Sequence, residues 1–261
     1  MTIDLNADVG EGMEDEHLLP YLTSANVACG LHAGDPSVMD ETVALAMTHG
    51  VQVGAHPGYP DRANFGRVRM DLPADAVEKL VLFQISALDG FVRSRGGMLT
   101  HVKPHGALYH AGAEFPDIAR AIAEGVRRLR PSLVLVGPGD SLLMEAGREA
   151  GLTVAAEGFA DRRYMPDGSL VPRGEPDALL SSPDEAAEQA LSIVRDGLVR
   201  ARGGAQVPVS ADTLCIHGDT PGAPMFARRI RERFQEEGIR IAPLEVNPSR
   251  DRRAQAAARP H

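Results

Sequence analysis

The stretch Thr23-Ser24-Ala25-Asn26-Val27-Ala28-Cys29-Gly30-Leu31-His32-Ala33-Gly34-Asp35-Pro36-Ser37 decides how the chain is read. Ser24–Cys29 is a short run of small and apolar residues without the strict alternation of a one-sided sheet, so it fits a strand buried on both faces. Asp35-Pro36-Ser37 then starts a helix. The Asp carboxylate caps the free amides of the first turn, and Pro loses nothing at a position whose amide has no helical partner. The helix runs to about His49, where Gly50 stops it. A strand, a turn carrying a histidine and a helix make one βα unit, the building block of a parallel sheet.

The same unit recurs along the chain. Candidate strands are Ile3–Val9, Ser24–Cys29, Gln52–Ala55, Met98–Val102, Leu133–Val136, Thr153–Glu157 and Thr213–Ile216. Between them lie helical patterns: one opening at Leu72-Pro73-Ala74-Asp75, with Val77, Leu80, Val81, Gln84, Leu88 and Val92 on one face, then Phe115–Leu129, Ser141–Ala150, Pro183–Arg200 and Pro224–Glu237. Two segments break the rhythm. Ala160–Pro176 is polar and rich in Pro and Gly, with an Asp167-Gly168 turn, and suits a small hairpin or a lid. The Arg- and Ala-rich tail 248–261 has no apolar face and is expected to be disordered. Residues 1–247 then form one α/β domain, a parallel barrel, with no linker dividing it.

Composition narrows the partners. The chain has 261 residues, 43% of them hydrophobic, no Trp and a formal net charge of −9. That charge argues against a nucleic-acid partner, whose phosphates it would repel. The N-terminal Met1-Thr2-Ile3-Asp4-Leu5 lacks the features of a signal peptide, and no apolar run approaches the ~20 residues of a membrane span. A cytoplasmic protein, with no membrane partner and with Cys29 and Cys215 as reduced buried thiols, is the expectation.

The residues able to do chemistry gather just after the strands. The first strand carries Asn6 and Asp8 and leads to Glu11. The second is followed by His32, the third by His56, and the fourth carries His101 and leads to Lys103 and His105. The sixth ends at Glu157 with Asp161 beyond it, and the seventh is followed by His217 and Asp219. In a parallel barrel those ends share one rim, where active sites form. Of the nine histidines, His17, His49 and His261 read as surface residues, while His32, His56, His101, His105, His110 and His217 belong to the rim. Lys103 is one of only two lysines, the other being Lys79, and it sits between two histidines. Asp35 is sufficiently explained as a helix cap. No HxH or HExxH pair and no Cys-based site is present, so neutral histidines acting as acid and base explain these residues without a metal. Were a divalent metal bound, Asp8, His56 and His101 are the conceivable ligands. Nucleotide motifs are absent as well; Val136-Gly137-Pro138-Gly139-Asp140 offers only a weak phosphate cradle.

Longer motifs carry a resemblance. Asp4-Leu5-Asn6 with Gly10-Glu11, the stretch Thr23–Pro36, Gly54-Ala55-His56-Pro57-Gly58-Tyr59-Pro60-Asp61 and Phe65-Gly66-Arg67 are joined by His101-Val102-Lys103-Pro104-His105-Gly106-Ala107-Leu108-Tyr109, Glu157-Gly158-Phe159-Ala160-Asp161-Arg162 and Cys215-Ile216-His217-Gly218-Asp219. In this order they resemble the LamB/YcsF family. Ala7 stands where the family pattern would have Cys or another small residue, and the tail after about 247 matches none of it. The resemblance implies a (β/α)7 TIM-like barrel of the glycoside hydrolase/deacetylase type. It also implies ATP-dependent opening of 5-oxo-L-proline to L-glutamate, with two further subunits, B and C, and ATP as co-substrate of the complex. On that reading Asp8 with His56 or His101 orients and deprotonates water, and Lys103 and Arg67 hold the substrate carboxylate or developing phosphate charge. His32 and His217 shape the pocket, and Asn6, Glu11, His105, Glu157, Asp161 and Asp219 complete the substrate site. Two other readings of the same rim are a metal-dependent deacetylase of an N-acetylated sugar and a non-catalytic subunit that binds a ligand or scaffolds its partners.

Overall fold

The structure, a computed structural model, describes residues 1–219 and 222–246, so the tail 248–261, His261 included, lies outside the described residues. Among the described residues ten strands alternate with eight α-helices: β1 Thr2–Val9, α1 Asp15–Leu18, β2 Ser24–Ala28, α2 Pro36–Thr48, β3 Gln52–His56, α3 Ala74–Ser94, β4 His101–Val102, α4 Gly106–Glu114, α5 Pro116–Leu129, β5 Val134–Pro138, α6 Leu142–Glu149, β6 Thr153–Phe159, α7 Pro183–Asp196, β7 Leu198–Arg200, β8 Gln206–Pro208, β9 Thr213–Ile216, α8 Ala223–Glu236 and β10 Arg240–Ile241. Strands β1 to β6 and β9 pair in parallel in that order, and β9 closes onto β1 with Asp4 opposite Thr213 and Ala7 opposite Ile216. The result is a closed seven-stranded (β/α) barrel. β10 adds to the start of β1, outside the ring.

Local chemistry explains the element ends. The Asp35 carboxylate accepts hydrogen bonds from the Ser37 and Val38 amides at 2.8 and 3.0 Å, which caps α2. Proline stands at the first turn of α2, α5, α7 and α8. Leu5, Ala7, Val9, Val27, Val53, Leu135 and Leu214 are fully or almost fully buried and carry the packing between barrel and helices.

Two elements differ from the sequence reading. The helix expected over Pro183–Arg200 ends at Asp196, because Gly197 takes a left-handed conformation (φ 67°) and turns the chain into the β7–β8 hairpin. Gly106–Glu114 is helical where no helix is expected; Phe115, in extended conformation, separates it from α5, which the sequence does show as a helix over Phe115–Leu129. Segment 160–176 contributes to a small hairpin with Leu179, through bridges Arg162–Leu179 and Tyr164–Leu170, and Met165 and Ser169 close its turn. Among the described residues no helix is long and apolar enough to cross a membrane.

Candidate active site

Strand β1 builds the floor of the site. Its alternation sends Asp4, Asn6 and Asp8 inward, one above another, so the barrel interior holds a polar column rather than an apolar plug. Asp4 at the bottom accepts hydrogen bonds from Thr23, Ser24 and Thr213 hydroxyls at 2.7, 2.6 and 2.5 Å. Asn6 donates to Thr213 at 2.6 Å and accepts from Asn26 at 2.8 Å. Asp8 reaches the rim, where Asn26 donates to its Oδ1 at 2.9 Å.

Lys103, just past β4, turns its ammonium into this column. Nζ lies 2.9 Å from Asp8 Oδ1, 2.8 Å from Glu157 Oε1 and 3.2 Å from Cys215 Sγ. Burial alone would push the ammonium toward neutrality, but the Asp8 and Glu157 charges outweigh it and hold Lys103 well above its usual range. For Asp8, burial favours the neutral acid, yet the charges of His56 and Lys103 keep its carboxyl well below the usual range. The floor is therefore a fixed buried ion pair.

Beside it, three imidazoles and Glu11 pack together. His56 Nδ1 lies 2.7 Å from the Lys103 carbonyl, so that nitrogen carries hydrogen and donates. Its Nε2 faces Asp8 Oδ2 at 3.3 Å and His105 Nδ1 at 3.0 Å. His105 Nε2 donates to the Phe65 carbonyl at 2.8 Å. His32 stacks on His105 with ring centroids 3.8 Å apart and approaches Glu11 Oε1 through Nε2 at 2.9 Å. Burial, then the positive charge of neighbouring His56, takes His105 down to about 2 and His32 to about 3. Asp8 raises His56 against the effect of burial. Burial pushes Glu11 up to about 7.

Only glycine fits where these rings meet the backbone. A Cβ on Gly54 would sit 2.1 Å from His101 Nε2, and one on Gly58 would sit 2.6 Å from His32 Nδ1. Gly58 is itself pinned by Gln84 from α3, which accepts from its amide at 3.0 Å and donates to its carbonyl at 2.9 Å.

The floor opens into a cavity of about 360 Å³ lined by Asp8, Glu11, His56, Arg67, Lys103, His105, His217 and Asp219 among the residues expected from sequence. Glu157 borders an adjoining cleft instead, beside Pro138, Gly139 and Asp140. Asn6, His32, His101 and Asp161 stand behind the surface. Asp161 accepts from the His217 amide at 3.0 Å and meets its Nδ1 at 2.9 Å, which fixes that ring. His101 corrects the sequence reading of a metal triad with Asp8 and His56 and of a base acting on water. Its Nε2 meets Asn26 Oδ1 at 2.9 Å and its Nδ1 meets Thr100 Oγ1 at 2.8 Å, so neither nitrogen faces the cavity. Burial, then Lys103, takes His101 down to about 3. The groups that could share a metal ion are instead Glu11, His32, His56 and His105, or Asp8, Cys215 and His217.

The hairpin covers the cavity through Leu170, Val171, Pro172 and Arg173. Arg173 and Arg67 both bond the same Asp219 oxygen at 2.7 Å, joining the hairpin to the loops after β3 and β9. Phe159 stacks on His217 at 5.5 Å, and Tyr109 completes the wall. Arg173, Phe159, Tyr109 and Gln84 belong to the site without a site role expected from the sequence. Phe159 and Tyr109 stand inside the recognised motifs, whereas a lone Arg in a polar loop and a Gln on a helix face carry no signal of their own.

Comparison with known proteins shows the family and agrees with the fold. The LamB/YcsF family model matches residues 3–248. The A subunit of 5-oxoprolinase from Methylococcus capsulatus is 55% identical over 93% of this chain and 96% of its own length. That of Pyrococcus furiosus is 48% identical over 94% of this chain and 98% of its own. The crystal structure of the lactam utilization protein from Thermus thermophilus superposes with a TM-score of 0.88 at 44% identity, covering 94% of this chain and all of that one.

Proposed function

We propose, from the premise that the chain belongs to the LamB/YcsF family, that it is the A subunit of a 5-oxoprolinase and that its rim cavity opens the ring of 5-oxo-L-proline. The observation that carries the reading is the 55% identity to the A subunit of a 5-oxoprolinase over almost the full length of both chains. Subunits B and C are the proposed partners, and ATP is the proposed co-substrate of the complex.

The chemistry of the cavity supports it. A five-membered lactam is an unstrained amide, so its hydrolysis needs a drive, which ATP supplies by phosphorylating the amide oxygen. The substrate carboxylate fits the Arg67–Arg173 pair at the mouth, where two guanidiniums share one Asp219 oxygen and leave positive charge over. The ring lies along Phe159 and the carbonyl carbon faces Asp8. Asp8 stays ionised and orients the attacking water; as the C–O bond forms, the water's proton passes by way of Asp8 to the ring nitrogen, and the C–N bond breaks with its electron pair on that nitrogen. A second water releases phosphate from the acyl phosphate so formed, so that one ATP and two waters give glutamate, ADP and phosphate. Buried Lys103 stabilises the negative charge that develops, and it does so in a site with little water to screen it.

The test is glutamate release from 5-oxoproline by this chain combined with subunits B and C, with and without ATP. Release that depends on both ATP and this chain, and that Asp8→Asn abolishes while the circular dichroism spectrum stays unchanged, supports the reading. Release by B and C alone, or full activity in Asp8→Asn, refutes it.

A further inference from the structure

We propose that Glu11, His56 and His105 form a divalent-metal site on the wall of the cavity, with His32 positioning the Glu11 carboxylate. The inference goes beyond the lactam reading and does not depend on it.

Backbone carbonyls fix the imidazoles. His56 gives its Nδ1–H to the Lys103 carbonyl and His105 its Nε2–H to the Phe65 carbonyl. Each ring thereby turns its other nitrogen, as a lone pair, to the same spot, with His56 Nε2 and His105 Nδ1 3.0 Å apart. Metal-ligating histidines are normally oriented in this way, the far N–H donated to a carbonyl or carboxylate. Glu11 Oε1 completes a triangle, 3.3 Å from His105 Nδ1 and 3.8 Å from His56 Nε2. A point inside that triangle lies about 2.0 Å from all three atoms, the length of a Zn–N or Zn–O bond.

Without a cation, one hydrogen on His56 Nε2 faces three acceptors: His105 Nδ1 at 3.0 Å, Asp8 Oδ2 at 3.3 Å and Glu11 Oε1 at 3.8 Å. A single proton cannot make good bonds to all three. A divalent ion bonds two nitrogens and a carboxylate at once, and it leaves positions open toward the cavity, the arrangement of two histidines and one carboxylate that suits Zn²⁺, Fe²⁺ or Mn²⁺. His32 meets the Glu11 oxygen at 2.9 Å through Nε2, with its ring stacked on His105, so the carboxylate is aimed as well. The second cluster, Asp8, Cys215 and His217, does not need an ion. The Lys103 ammonium already lies 2.9 Å from Asp8 and 3.2 Å from Cys215 Sγ.

The test uses the full chain, stripped with a chelator and dialysed against Zn²⁺, Mn²⁺ and Co²⁺ separately. One equivalent of at least one of the three per chain is expected, with a Co²⁺ absorption spectrum showing nitrogen ligation. Glu11→Gln, which keeps the side-chain volume, should weaken binding by a hundredfold or more, and His105→Ala should do the same. A Cys215→Ala variant should bind as tightly as the unaltered chain, because its sulfur is beside Lys103. Failure to bind any of the three ions, or undiminished binding by Glu11→Gln, overturns the site. Binding lost in Cys215→Ala but kept in Glu11→Gln would move the ion to the other cluster and equally overturn it.

Discussion

Replacing Lys103 by Met removes the cation between Asp8 and Glu157 and leaves the rest of the packing nearly filled. Nζ lies 2.9 and 2.8 Å from the two carboxylates, and Lys103 is 3% exposed, so the charges it leaves behind are buried. Removing one partner of a buried pair costs ~3–5 kcal/mol, because the remaining charge has lost its compensation. In a domain of this size that corresponds to a fall in Tm of roughly 10 °C. The cost should depend on pH in a definite direction. In the unaltered protein the Asp8 carboxyl lies well below its usual range, so its contribution is present above the unfolded value of about 3.9 and is lost as pH falls through the lower folded value. Without Lys103, a carboxyl of the pair holds its proton more tightly than in the unfolded chain, which destabilises the fold above about pH 4. The gap between the two proteins therefore widens from about pH 4 to 7. Urea unfolding followed by circular dichroism measures it as a shifted midpoint with an unchanged slope. Adding Asp8→Asn to the variant should recover part of the loss. Equal midpoints at pH 7, or a gap that does not change with pH, would refute the ion-pair account of the floor.

Four further outcomes are expected. Asp161→Asn loosens the His217 ring and should lower kcat of the reconstituted complex about 10–100-fold, the range for groups that orient an imidazole, with little change in KM. Arg173→Ala should raise KM for 5-oxoproline while the unfolding free energy from urea titration changes by less than about 1 kcal/mol, since the ion pair it loses is partly solvated. Gly58→Ala drives a methyl toward His32, and unfolding should show it less stable by about 1–3 kcal/mol. Metal uptake should fall about tenfold or more per pH unit below pH 7, because burial holds the Glu11 proton up to about 7, Asp8 holds the His56 proton above its usual range, and the ion must displace both; equilibrium dialysis at pH 5.5, 6.5 and 7.5 that shows no trend would remove both from the ligand set.

The barrel is legible in the chain because strands buried on both faces leave continuous apolar runs and helices leave caps. Thr213–Ile216 is found with the expected ends, and Asp35 caps α2 as its side chain dictates. Strand β4 is shorter than the run Met98–Val102, since only His101 and Val102 reach ladder partners on both sides. The short hairpin strands Leu198–Arg200 and Gln206–Pro208 are hidden in the sequence, because the apolar spacing of α7 continues smoothly through Leu198. At the rim, position along the chain identified Asp8, His56 and Lys103 but not direction. Whether a histidine faces a cavity or an asparagine depends on the opposite strand, as His101 and Asn26 show.

The ring is sealed between its earliest and latest members. β1 lies at residues 2–9, and its closing partner β9 spans Thr213–Ile216. A nascent chain emerging from the ribosome holds Asn6 and Asp8 from the outset, yet has no pocket until more than two hundred residues have followed. Until then β1 presents an unpaired edge, which another chain could join. Such distant pairing makes assembly slow relative to a helical bundle, so molecules interrupted before Ile216 should be siteless and prone to self-association.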